Sequence, residues 1–321
     1  MKLKPKAHMG LHQYVVERYL EYVKHYESAI ERNFPRAFQI YKTFSVGMKD
    51  FLSDLRDYAK LTLTKPATSG GYYKMNRRES ELCYQMPKHM LKMGPILILT
   101  ALPFVSYGLF PLVVKYPRAF LTPHFWSVQQ RIEFALKSHR KKLQFYQPVL
   151  LHLQALSEHM EHGSMKNECS KVISKLVYGV HPTIPDLLRI QGAFSEQGPF
   201  HLSHLNSAHI TKLLHMHGIT AWTCKRRALR KYGLMLLQVD SALYHEGIYL
   251  LQSDDLRKEL FLRGVNPSNM SREKMLEWLE SWLTLSQHVK PNILSLLLHS
   301  PIFLSYNHPM NWVPFYPSSM H

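Results

Sequence analysis

Apolar side chains recur every three or four residues through most of this chain, and no stretch alternates in the way of a half-buried strand. Over residues 1–63 the stripe runs Tyr14, Tyr22, Tyr26, then Phe34, Phe38, Tyr41, Phe44, Phe51, Leu55 and Tyr58. It predicts two amphipathic helices parted at Asn33-Phe34-Pro35. Such a stripe reads as a packing face; the liking of tyrosine for the headgroup layer makes an interfacial helix the sharper alternative. Residues 64–92, with Thr64-Lys65-Pro66, Ser69-Gly70-Gly71 and Arg77-Arg78, read as a basic linker. Beyond Pro123, apolar spacing predicts helices near 127–146, 148–161, 165–177, 183–194, 203–217, 222–245, 253–263, 271–287 and 291–304, punctuated by Gly and Pro. Ser203, Asp254 and Ser271 are the expected N-caps. Residues 306–321 are rich in Pro and aromatics and read as an irregular tail.

One run breaks the amphipathic rule. Met93–Val114 holds no charged side chain, and Lys92 and Lys115 close it. At about 1.5 Å per residue, a helix of that length would cross the roughly 30 Å hydrocarbon core of a bilayer. Its Pro95, Pro103, Gly108 and Pro111 would be costly in a water-exposed helix and are tolerated in a membrane bundle. The expectation is an all-α protein: a single transmembrane helix over 93–114, for which the bland alternative is a buried core helix of a soluble protein, then an all-helical soluble domain over 120–305. Orientation stays open on charge, since Lys60–Lys92 and Lys115–Lys142 carry seven Lys/Arg each.

Composition changes the picture mainly through charge. The formal net charge of +17 favours polyanionic partners such as RNA or anionic lipid. Cys83, Cys169 and Cys224 are too sparse for a disulfide scaffold and have no redox or metal-ligand spacing. Walker, G-x-G-x-x-G, G-x-S-x-G and H-E-x-x-H motifs are missing, so neither an enzyme nor a cofactor is expected. Among the 20 histidines, His152, His159 and His162 beside Glu158 and Glu161 offer the strongest metal spacing. Solvated surface histidines are the better reading there, and no metal is expected.

The strongest candidate for chemistry is Lys225-Arg226-Arg227-Ala228-Leu229-Arg230-Lys231, set in a stretch without an acid from Gln197 to Val239. On a helix Lys225, Arg226, Arg227, Arg230 and Lys231 form one patch suited to phosphate oxygens; the bland alternative is a solvated helix face. Farther on, Leu256-x-x-Glu259-Leu260-x-x-Arg263-Gly264-Val265 with Met275-Leu276-x-x-Leu279 has the spacing of a SAP-type helical hairpin. Its net charge of −2 over 244–285 (five Lys/Arg against seven acids) argues for a structural role.

Two groups of residues together resemble the leucine-zipper/EF-hand transmembrane (LETM) family. The first is Pro103-Phe104, Pro111 through Lys115-Tyr116-Pro117, and Leu121-Thr122-Pro123-His124-Phe125-Trp126. The second is Asp255-Leu256 through Arg263-Gly264-Val265, Trp278-Leu279, Trp282-Leu283 and Ser295-Leu296-Leu297-Leu298-His299. A shorter branch of the family is the better match. The resemblance implies a non-enzymatic mitochondrial inner-membrane protein that supports mitochondrial structure and function. It would have one span, anchored around Lys92, Pro103, Phe104, Pro111 and Lys115, and a matrix domain associated with mitochondrial ribosomes. Anionic lipid, a second copy of the chain or other inner-membrane proteins are further partners it allows. A role in cation/proton exchange is the family's alternative, but Val105, Ser106 and Tyr107 stand where exchanger-type relatives carry an acid. No EF-hand loop or long C-terminal heptad run is present. A nuclear nucleic-acid-binding regulator using the hairpin is a third reading. Lys2, Lys4 and Lys6, with no acid before Glu17, mildly resemble a targeting segment.

Overall fold

The computed structural model describes residues 35–64, 75–100 and 111–312. All regular structure among them is helical, with no strand. Of the two expected N-terminal helices, the first lies outside the described residues. The second is α1, Pro35–Thr64, opening on the proline that parts the pair. Next comes α2, Arg77–Thr100. The expected linker is thus helical from Arg77 onward. Its charge concealed apolar Leu82 and Met86, both buried, and the helix runs on into the charge-free run, where Met93 and Ile96 are buried as well.

The described residues divide into two units. The first draws on the chain up to Asp57 and on His89–Gln130. Its centre is the segment Leu121–Trp126. His124 lies between Asp54, whose Oδ2 is 3.0 Å from Nε2, and Thr122, whose Oγ1 is 3.0 Å from Nδ1. Phe125 is buried against Phe44 and Phe51. Gly47 has no Cβ because one would stand 2.7 Å from the His124 carbonyl oxygen.

The second unit draws on Tyr58–Lys88 and the chain from Arg131. Its helices are α3 (Val128–Leu143, crossing in from the first unit), α4 (Tyr146–Glu158), α5 (Ser164–Val177) and α6 (Ile184–Arg189). They continue with α7 (Ser207–Met216), α8 (Lys225–Glu246), α9 (Ser253–Arg263), α10 (Arg272–His288) and α11 (Leu294–Ser305). These follow the expected segments closely. Ser271 caps α10 by accepting the Lys274 N–H, as expected. Asn206 rather than Ser203 caps α7, and Asp254 sits in the first turn of α9 instead of capping it. Helix α11 is apolar on nearly every side, and Leu296, Leu297 and Leu298 are wholly enclosed; it is the central helix of the core. Gly233 of α8 admits it closely, since a Cβ there would meet Leu294 at 2.9 Å.

The hairpin of α9 and α10 is structural. Leu260 and Leu279 are fully buried, and Gly264 ends α9 at φ +98°, where a side chain would also strike the Tyr146 hydroxyl. Arg263 is enclosed and lies between two carboxylates. Its Nε donates to Asp240 Oδ1 at 3.1 Å, and Nη1 donates to the Glu259 carboxylate and, at 3.0 Å, to the Glu259 carbonyl. Asp240 Oδ2 also accepts from Trp282 Nε1 at 2.9 Å and Ser286 Oγ at 2.6 Å. Glu259 Oε1 accepts from Arg77 Nη1 at 3.1 Å, and Arg77 Nη2 reaches Asp255 at 3.2 Å. Burial alone would raise the Glu259 carboxyl, but the Arg263 guanidinium overrides it and holds the pKa below the ordinary range. Glu81, paired with Lys258, is raised by burial. One buried ionic chain therefore ties α2, α8, α9 and α10 together.

The tail also departs from expectation. Asn311, in a 3-10 turn over Pro309–Asn311, is buried. Its amide donates to Gly264 O at 3.0 Å and Ser305 O at 2.8 Å, and its Oδ1 accepts the Asn266 N–H at 2.9 Å. The helical unit thus extends at least to this turn, past residue 305. Residues 313–321 of the expected tail lie outside the described residues.

Candidate polyanion-binding face of the helical unit

Helix α8 begins with cations and continues with a core stripe of Leu229, Tyr232, Gly233 and Leu236, all buried. That stripe turns Arg226, Arg227, Arg230 and Lys231 outward, all exposed, while Lys225 is half-buried. The structure divides the five expected residues. Arg226 donates through Nε to Leu202 O at 3.1 Å and through Nη2 to Leu205 O at 2.6 Å, tying the preceding loop to the helix. Lys225 Nζ donates to Thr211 Oγ1 at 2.9 Å. Arg227, Arg230 and Lys231 make no salt bridge among the described residues.

Cations dominate the electrostatics around them, with Glu196 acting in the opposite sense on His201. No acid stands in the first turn of α8 and Cys224, at φ 51°, supplies no side-chain cap. Cations there oppose the helix dipole, each costing about 0.3–1 kcal/mol. A bound anion would reverse that sign. Lys88 of α2, seated 3.7 Å over the Tyr84 ring, has its pKa lowered to about 8 by burial and then by Lys231. The His201 imidazole is lowered by burial and by His204, with Arg230 acting in the same direction. Before α8 lies an open groove of about 500 Å³ lined by Ser207, Ile210, Trp222, Cys224, Lys225, Arg226 and Arg227. Lys88 and Trp222 are the members that sequence reading missed. Lys88 comes from a distant helix; the indole of Trp222, next to the cationic run, was a legible signal.

The expected anchor residues are placed as follows. Lys92 Nζ donates to Arg118 O and Leu121 O, each at 2.8 Å, so it binds the end of the turn Pro117–Phe120. Pro111 and Lys115 are exposed on a helical stretch, with Lys115 Nζ 5.4 Å from the Tyr116 ring centre. Pro103 and Phe104 lie outside the described residues, as does the middle of Met93–Val114. Among the described residues, no helix is long and apolar enough to cross a membrane.

Four of the described histidines, His139, His209, His217 and His299, are buried in the core. Among the described residues no three His, Cys, Asp or Glu side chains converge on a metal-sized position. His159 Nδ1 lies 2.7 Å from Ala155 O, and His152 stacks on His209. His209 and His299, both enclosed, face each other with Nε2 atoms 3.0 Å apart. His299 Nδ1 donates to Ser295 O at 2.7 Å, so its Nε2 accepts and His209 Nε2 donates. His217 Nε2 donates to Leu298 O at 2.8 Å, and His139 Nε2 to Asn311 Oδ1 at 3.0 Å.

Comparison with known proteins assigns the chain to a family. Residues 75–303 match the LETM1-like RBD family. The chain is 28% identical over 287 residues to LETM1 domain-containing protein 1 of Xenopus tropicalis, covering 88% of this chain and 81% of that protein. It is 26% identical over 312 residues to the Homo sapiens protein of the same name, covering 96% and 86%. The Bos taurus protein of that name shows the same identity and coverage. The family match takes in α8, the groove, the α9–α10 hairpin and most of the central helix α11. The chain belongs to the LETM1-like RBD family.

Proposed function

We propose that this chain is a non-enzymatic protein of the mitochondrial inner membrane, anchored by one span over Met93–Val114. Its helical domain would face the matrix and dock on the mitochondrial ribosome through the outer face of α8. The observation that carries the reading is the exposed trio Arg227, Arg230 and Lys231, which no carboxylate of the described residues neutralises, on a chain of net charge +17. Ribosomal RNA is the densest polyanion such a face could meet. Anionic headgroups of the adjoining membrane are a second partner of the same chemistry. Support for the span is the charge-free run itself, between Lys92 and Lys115. The exchanger reading draws nothing from that run, which has no Asp, Glu, His, Lys or Arg. A nuclear role for the hairpin draws no support from its charge, which is −2 over 244–285.

The test is salt-dependent co-sedimentation of the full chain with mitochondrial ribosomes. Arg227→Gln, Arg230→Gln and Lys231→Gln are combined, and Arg226 is kept because it holds the Leu202–Leu205 loop. At roughly 0.7 per phosphate contact, the slope of log affinity against log salt should flatten by about 2. An unchanged slope would remove the ribosome-docking assignment from α8.

A further inference from the structure

The charge of α8 leaves Trp222 unexplained. It is 94% exposed, the most exposed large hydrophobic side chain among the described residues. Leaving such a ring in water forgoes roughly 2–3 kcal/mol of burial. It lines the groove before α8 together with the buried Ile210 and with Lys225, Arg226 and Arg227. A membrane-inserting surface gathers several apolar side chains around its aromatic anchor. Along the chain, the exposed residues around Trp222 are Thr220, Thr223, Cys224, Arg226 and Arg227, none of them a large apolar side chain. A flat exposed ring beside an arginine that makes no salt bridge among the described residues, Arg227, is an arrangement suited to one unstacked base and the phosphates flanking it.

We propose that this groove binds single-stranded RNA, with one base stacked on Trp222 and its neighbouring phosphates held by Arg227, Arg230 and Lys231. The inference rests on the polyanion reading of α8 and adds to it a selection for unpaired nucleotides over other polyanions. The cations supply salt-sensitive attraction without regard to sequence, whereas the ring recognises only ligands that carry a base. The acid-free stretch Gln197–Val239 keeps carboxylates of that segment away from the strand. Glu196, which faces His201 from the edge of that segment, is the nearest chain acid before it.

The experiment titrates the full chain in detergent micelles with a labelled oligouridylate of about 12 nucleotides, within the usual range of single-stranded sites. Inorganic polyphosphate and vesicles of anionic lipid are the base-free competitors. Trp222→Ala should weaken the oligonucleotide about tenfold and leave polyphosphate affinity unchanged, and Trp222→Phe should restore most of the loss. Because the indole is so exposed, neither variant should disturb folding, which circular dichroism verifies. The triple Gln variant should weaken both ligands. Equal effects of Trp222→Ala on both ligands, or none on either, would overturn stacking while leaving the polyanion reading intact. Loss of vesicle binding alone would overturn it in favour of lipid. A wild-type chain that binds no polyanion would overturn both.

Discussion

Replacing Arg263 with Met should destabilise the helical unit by about 3–5 kcal/mol, a large share of the roughly 5–15 kcal/mol that holds a typical domain folded. The cost is not chiefly the lost attraction. Asp240 and Glu259 are buried with Arg263 between them, and removing the guanidinium strands two carboxylates away from water. Trp282 Nε1 and Ser286 Oγ continue to serve Asp240 Oδ2, but its Oδ1 loses both N–H donors. Arg77 still reaches Glu259 Oε1, whereas Oε2 is left bare. The control is Arg257→Met, whose 3.4 Å pairing with Asp254 is surface-exposed and worth about 0–1 kcal/mol. Urea titration of both variants measures the difference. An Arg263 variant no less stable than the Arg257 variant would show that the ionic chain is not what joins α2, α8, α9 and α10.

Mild acid should unfold the same unit, and by a comparable amount. Burial lowers the imidazole pKa of His139 to about 4, of His217 to about 3 and of His299 to about 4. His209 is lowered to about 2 by burial, with His299 and His152 adding to it. In the unfolded chain all four would titrate near 6.5. Below that pH the unfolded state binds protons that the folded state refuses, so the stability present above 6.5 is lost as pH falls towards 4. Each group contributes up to about 1.4 kcal/mol per pH unit, hence the four together about 5 kcal/mol per unit. Urea midpoints measured from pH 7.5 to 5 should fall steeply below 6.5. His139→Gln, whose amide can still donate to Asn311, should reduce the proton uptake on unfolding from about four to about three. Stability that stays flat from pH 7 to 5 would contradict the assignment of these four as neutral core groups.

Much of the helical unit could be read from the chain because its signals are local. Three-and-four spacing marked α3 to α11, Ser271 announced the start of α10, and Gly264 the end of α9. What escaped was set by distant partners. Arg77 looks like half of a basic linker pair until Glu259 and Asp255, far along the chain, are placed beside it. Asn311 has no periodic signature; its importance lies in the buried groups it satisfies across three segments. Likewise, Arg226 and Arg227 are equivalent in sequence and differ only because the Leu202 and Leu205 carbonyls come to one of them. Buried histidines and solvated ones also look alike in a row of letters. The contacts of His209 and His299 separate them. The charge of the patch was therefore legible, but the division of its members between structure and free surface was not.

The central claim is that a membrane-anchored chain holds the α8 face inside mitochondria, and the most direct test is alkaline carbonate extraction combined with protease protection. Mitochondria are treated intact, with the outer membrane ruptured, and with both membranes opened. The account predicts that the chain stays in the carbonate pellet and that an epitope in α10 resists protease until the inner membrane is breached. Release into the supernatant, or digestion of that epitope once the outer membrane alone is opened, would contradict it.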